Sequence, residues 1–148
     1  MPCTCNTHFK RKPDLVYFYT TDINKKTQIN EQILGDSVII SFKANLQNSK
    51  LENVGKLLAF YTSFDVNKDK NKKFPSINNI TFVLPNGSIN LVIPTPNQIN
   101  PQGKLNLPAG LKIVSPIASG TGMFLNAKGY LLIHTKEYER KVEIFLKK

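Results

Sequence analysis

A chain of 148 residues has the length of one domain with a core of ordinary size, large enough to need no disulfide or metal to hold it together. Its net charge of +10 favours a polyanion such as nucleic acid or an acidic membrane surface. No run of about 18 apolar residues reads as a membrane-spanning helix, and the first twenty residues lack the basic-then-apolar order of a secretory leader; the expectation is an intracellular, non-membrane protein.

The distribution of charge tempers the polyanion reading. Basic residues gather at Lys10-Arg11-Lys12, at Lys68-Asp69-Lys70-Asn71-Lys72-Lys73 and at Lys147-Lys148, and no aromatic residues interleave with them to make a stacking platform. Solvated tail, loop and terminus are the simpler reading, and nucleic acid is a minor expectation. Lys supplies 18 of the 20 basic residues and Asn is abundant, a bias of AT-rich genomes such as those of protists or large DNA viruses. The only cysteines, Cys3 and Cys5, offer with His8 three ligands for a soft metal, one short of a closed site. Residues 1–13 are therefore read as a flexible polar tail, with no metal site and no cofactor, ahead of a single domain over 14–148.

Leu15-Val16-Tyr17-Phe18-Tyr19-Thr20-Thr21-Asp22 is a strand by its β-branched and aromatic content. The period of two puts Phe18, Thr20, Asp22 and Asn24 on one face and Tyr17 and Tyr19 on the other, with bulk on both. Residues 25–32 read as a polar connection or a short helix. From Gly35-Asp36 the alternation is clean: Val38, Ile40, Phe42, Ala44 and Leu46 oppose Ser37, Ser41, Lys43 and Asn45, the mark of a half-buried strand. Lys56 to Phe64 is apolar on both sides again.

Ile77 to Leu84 and Ser88 to Ile93 flank Pro85-Asn86-Gly87, a strong hairpin signal. Pro94, Pro96, Pro101 and Pro108 mark 94–109 as a long loop that carries neither helix nor central strand. A strand resumes at 111–114, is interrupted by Pro116, and two more follow over 128–138 and 141–146. His134 falls on one of them as a surface residue without triad partners.

Between these strands lies Ser119-Gly120-Thr121-Gly122-Met123-Phe124-Leu125-Asn126-Ala127-Lys128-Gly129-Tyr130. A nucleotide loop would need a third glycine where Leu125 stands, or a Lys-Ser/Thr pair ahead of a helix, and the continuation is strand-like. Gly120, Gly122 and Gly129 are read instead as backbone devices of a turn, a short extended piece and a further irregularity. About eight strands with little helix fit a sandwich or a barrel, and closure into a barrel removes the edges. Two strands apolar on both faces call for a second subunit over part of the exterior.

Four motifs in order carry a family resemblance: Val16 to Asn24 as a first strand with its acidic residue, Leu34-Gly35-Asp36-Ser37-Val38 as the "GD" opening of the next, Val54-Gly55-Lys56-Leu57-Leu58-Ala59-Phe60-Tyr61 like "VGRAQGFY", and the glycine stretch like "GGTGKF…ARGY". Over roughly residues 14 to 146 the chain resembles the allene oxide cyclase and dirigent barrel superfamily. The resemblance implies an all-β, eight-stranded antiparallel barrel of calycin type, often a homotrimer, that binds a small apolar or aromatic molecule inside. It implies that Asp22 and Asn24 enter the cavity, with Phe18 on their face, and that Tyr61 stands where dirigents carry a pocket tyrosine. Asp22 is the catalytic candidate, since a carboxylate in an apolar barrel has a raised pKa suited to proton transfer; Asn24, Tyr61 and Phe18 are the ligand-binding candidates.

Two departures separate the chain from that pattern. Dirigents are secreted, and residues 85–115 contain no Asp, Glu or Arg to match their further pocket charges. Catalysis is left open. The leading reading is a small-molecule-binding barrel, and the alternative is a non-enzymatic assembly protein of a large DNA virus or protist that keeps the fold without a working pocket.

Overall fold

The alternation between Val38 and Leu46 sets the inside of the molecule. The computed structural model describes residues 11–21, 28–64, 74–98, 110 and 112–147, and in it Val38, Ile40, Phe42, Ala44 and Leu46 are all buried on one face of strand β3 (Ser37–Gln47). The other strands are β1 (Leu15–Thr20), β2 (Gln28–Leu34), β4 (Asn53–Ser63), β5 (Phe74–Leu84), β6 (Gly87–Gln98), β7 (Lys112–Pro116), β8 (Ser119–Gly122), β9 (Gly129–Lys136) and β10 (Glu139–Leu146). Among the described residues there is no helix.

All pairings are antiparallel, in the order β7-β9-β10-β1-β3-β4-β5-β6-β8, with β2 also beside β3. The two ends of that order are one stretch of chain. β7 lies on β9 and β8 lies on β6; at the bend between them Ile117 N donates to Gly129 O (3.0 Å) and Ala118 N donates to Asn90 O (2.9 Å), one residue tied to each side. β1 and β2 likewise share one edge of β3, β1 opposite Gln47 and β2 opposite residues 37–43. With each of these pairs taken as one broken stave, the ten strands curl as an antiparallel β-barrel of about eight staves.

The barrel has two unlike ends. At one, tight turns join β3 to β4, β5 to β6 and β8 to β9, and the interior is filled by Leu46, Leu57, Leu84, Ile89, Phe124, Leu131 and Ile144. Burial of these side chains is the main stabilising term, about 1.5–3 kcal/mol for each one removed from water. The glycine stretch seals this end. Gly122 (φ +61°) takes the left-handed conformation, and a Cβ there would collide with the Asn86 carbonyl. A Cβ at Gly120 or Gly129 would run into the carbonyl of Phe124 or Phe145. The extended piece comes first, as β8, and the turn at 123–126 follows, the reverse of the order anticipated.

Three expectations are corrected. Residues 28–34 form β2, a strand and not a helix or connection, because they extend the Gly35-Asp36 turn into a hairpin with β3. β6 continues through Pro94 to Gln98, whereas a loop was expected from residue 94. The reason is that β8 accompanies β6 only over Gly87–Asn90; beyond that β6 pairs with β5 alone, and an edge strand tolerates proline. The third concerns β1. Tyr19 belongs to the buried core, with Leu15 and Tyr17 packed against it, so Phe18 and Thr20 occupy the outer face and not the cavity face assigned to them.

Phe145, the residue that breaks the alternation of β10, is buried on the outside of the barrel by stacking on Tyr130, with ring centroids 4.9 Å apart and planes 15° from parallel. Among the described residues no helix is long and apolar enough to cross a membrane.

Candidate functional site

Toward the other end the interior changes character. Along β4 the inward positions run Leu57, Ala59, Tyr61, Ser63, and along β5 from the far end Phe82, Ile80, Asn78, Ser76. Register places Tyr61 opposite both Ile40 and Asn78, and Ser63 opposite Val38 and Ser76. Across the barrel, Arg140 is directly opposite Tyr19 on one side and Thr135 on the other. The sequence thus grades β4, β5 and β9 from aliphatic to polar side chains toward this end, while β3 stays apolar through Val38.

Arg140 is the charged residue of this interior, 4% exposed. Its Nη1 donates to the carbonyls of Glu137 (2.7 Å) and Glu139 (3.0 Å), which anchor the guanidinium to the β9–β10 turn. Thr21, also buried, is fixed to the same turn: its N donates to the Tyr138 carbonyl at 2.7 Å and its Oγ1 to the same oxygen at 3.2 Å. Ser63 Oγ is buried and has no hydrogen-bond partner among the described residues. Buried polar atoms are nearly always bonded, so an orphan hydroxyl beside Tyr61 marks a place where a ligand or solvent is needed.

The electrostatics follow from burial. Removal from water pushes the Tyr61 hydroxyl up to about 12, against the opposing pull of the Arg140 charge. Tyr19 moves further in the same direction, first through burial, then through the neighbouring Tyr61, with Arg140 again opposing. The Arg140 guanidinium is lowered by its own burial, offset by Tyr19, Tyr61 and Glu139. Two protonated phenols and a buried cation therefore face one another at neutral pH, and guanidinium keeps its proton throughout. Such a group donates hydrogen bonds and stabilises negative charge on a bound molecule.

Of the residues singled out in the sequence, Tyr61 lies in this cluster. Phe18 faces outward, and Asp22 and Asn24 lie outside the described residues, as do Cys3, Cys5 and His8. His134 is on the outer face of β9, with Nε2 against Glu143 Oε1 of β10. Among the described residues no three metal-ligating side chains come together. Tyr19 and Arg140 were missed, yet Arg140 carried a signal: it continues the inward series Ile144, Val142 by the period of two, in a chain whose other cations are nearly all lysine.

No family model matches the sequence, and a search of curated proteins finds no match. Solved structures do. A pyocyanin demethylase superposes with a TM-score of 0.57 at 16% identity, covering 90% of this chain and 98% of its own. A pterocarpan synthase dirigent protein superposes with a TM-score of 0.56 at 16% identity, covering 88% and 83%. With the eight-stave closure and the glycine-sealed end, these similarities show that the chain has the dirigent-like β-barrel fold.

Proposed function

We propose that the barrel binds a small apolar or aromatic molecule at its polar end, with Tyr19, Tyr61 and Arg140 holding an oxygen of that molecule and Ile40 and Ile93 packing on its rings. The carrying observation is a buried cation facing two protonated phenols beside an unsatisfied Ser63 hydroxyl. Ligand pockets are mostly apolar with a few convergent polar groups, and this combination has that composition. The two similar structures are named for a demethylase of pyocyanin and a synthase of pterocarpan, and this supports a small organic ligand. Asp22 and Asn24, which lie outside the described residues, are carried by the family resemblance alone as the proposed carboxylate and amide acting on the ligand. The setting proposed is the cell interior.

The test is binding of a panel of phenolic and polycyclic aromatic compounds by tyrosine fluorescence quenching. Arg140→Met should weaken binding by about 30- to 100-fold, the effect of losing a hydrogen bond to a charged group. Binding unchanged in Arg140→Met and in Tyr61→Phe would remove the site. Turnover lost in Asp22→Asn with binding retained would assign catalysis to the carboxylate; equal turnover would leave it a bystander.

A second reading, an assembly protein that keeps the fold, is favoured by a different observation. The outer face of β4–β6 exposes Leu58, Phe60, Ile77, Val83 and Val92. We take this face as the contact between copies of the chain in a homo-oligomer, for which a trimer is the expectation, and it is compatible with either reading.

A further inference from the structure

The glycine-sealed end of the barrel carries an unusual combination. Its tips display the three most exposed large apolar side chains of the described residues: Leu51 (70%), Leu125 (67%) and Met123 (65%). None is on a loose segment. In the β3–β4 turn, Leu51 has φ +62° and its N donates to the Asn48 carbonyl (3.0 Å), while Asn48 Oδ1 accepts from the N of Lys50 (2.9 Å) and of Glu52 (3.0 Å). In the β8–β9 turn, Met123 N donates to the Asn86 carbonyl (2.9 Å), strapping that turn to the β5–β6 turn, and Leu125 N donates to the Gly122 carbonyl (3.1 Å). Turns of this kind ordinarily carry polar residues.

Lysines surround the tips. Lys50 adjoins Leu51, and Lys128 and Lys147 are drawn together by a hydrogen bond from Lys147 N to the Lys128 carbonyl (2.7 Å); all three are exposed. Arg11 and Lys12, exposed at the entry to β1, lie at the same end, where Arg11 Nη2 donates to the Leu146 carbonyl (3.0 Å). Against them stand Glu52 and Asp14, and Asp14 is engaged by Arg11 at 2.5 Å. The end therefore combines rigidly held apolar points with a net positive rim.

We propose that this end docks on an anionic lipid surface, with Leu51, Met123 and Leu125 entering the boundary between headgroups and acyl chains and Lys50, Lys128 and Lys147 contacting lipid phosphates. An anionic bilayer supplies both properties that the end requires, negative charge at the level of the lysines and hydrocarbon a few ångströms below. A protein partner would need an apolar socket of matching shape for each tip as well as acidic charge. Docked this way, the barrel turns its Tyr61 end away from the membrane.

Flotation of the full chain with vesicles tests the proposal. The chain should float with phosphatidylcholine vesicles containing phosphatidylserine, remain behind with phosphatidylcholine alone, and be released by high salt. The Met123→Ser/Leu125→Ser double variant should lose about a hundredfold or more in partitioning, the effect of two apolar side chains left in water. Leu51→Ser, on a separate turn, gives an independent reading should the double variant fold poorly. Lys50→Glu/Lys128→Glu should abolish flotation, and Lys70→Glu/Lys72→Glu should leave most of it. Absence of flotation on the serine-containing vesicles overturns the proposal, as does flotation that survives the tip variants but vanishes with the Lys70/Lys72 variant, or retention on nucleic acid without retention on vesicles.

Discussion

Two tyrosine hydroxyls held in a barrel interior make stability sensitive to base. Tyr61 keeps its proton to about 12 in the folded protein and Tyr19 beyond that, whereas an unfolded tyrosine loses its proton near 10. Above the unfolded value the native state binds more protons than the unfolded one, so stability falls as pH rises. The contribution is fully present below about pH 10 and declines above it as unfolded tyrosines ionise. Urea denaturation at successive alkaline pH values should show this decline, and the Tyr19→Phe/Tyr61→Phe variant should show a flatter profile. At this scale the sequence was partly legible. Tyr61 could be placed through the likeness of its strand to a known motif, and Arg140 could have been placed by alternation. The facing of β1 could not be read, because Tyr17, Phe18 and Tyr19 are all bulky and period alone does not say which face goes in.

Single strands and turns show why some elements announce themselves. β3 alternates because one face is core and the other is not, and the β5–β6 hairpin is legible because Pro85-Asn86-Gly87 limits the backbone to a tight reversal. Gly122 is held in that same region by its left-handed φ and by the Asn86 carbonyl. Gly122→Ala should therefore destabilise by about 2 kcal/mol, strain plus displacement of the neighbouring turn, read as a lower denaturation midpoint with unchanged far-ultraviolet circular dichroism. β2 and the upper part of β6 were illegible for a shared reason. Residues 30–34 of β2 are all exposed and that part of β6 is paired on one side only, so neither has the two-sided environment that imposes an alternating pattern.

For the whole molecule, the outer face of β4–β6 is the one proposed for association. Phe60 is 52% exposed in a region where Leu58, Val83 and Val92 are also uncovered, and soluble monomers rarely leave such patches open. Phe60→Asp should shift the chain to monomer mass in sedimentation velocity without loss of the fold, while Thr81→Asp on the same face should weaken association less. Barrel closure itself was legible as a count of strands, but not the means of closure, since nothing in residues 112–122 says that one half serves β9 and the other β6.

The pairing of β1 with β10 sets when the molecule can come into being. The first strand sits between β3 and the last strand, and its entry is fastened there by Asp14 N on the Ile144 carbonyl (2.8 Å) and by Leu146 N on Asp14 Oδ2 (2.7 Å). The ring cannot be completed until residues 139–146 have been made, so closure brings together strands far apart in the chain and carries the cost of a long loop. Joining Lys147 to Arg11 through a short glycine linker and opening the chain at the exposed Gly35-Asp36 turn would convert that distant pairing into a local hairpin. Such a permutant should refold faster than the natural order in stopped-flow tyrosine fluorescence, and an unchanged rate would place the slow step elsewhere in the barrel.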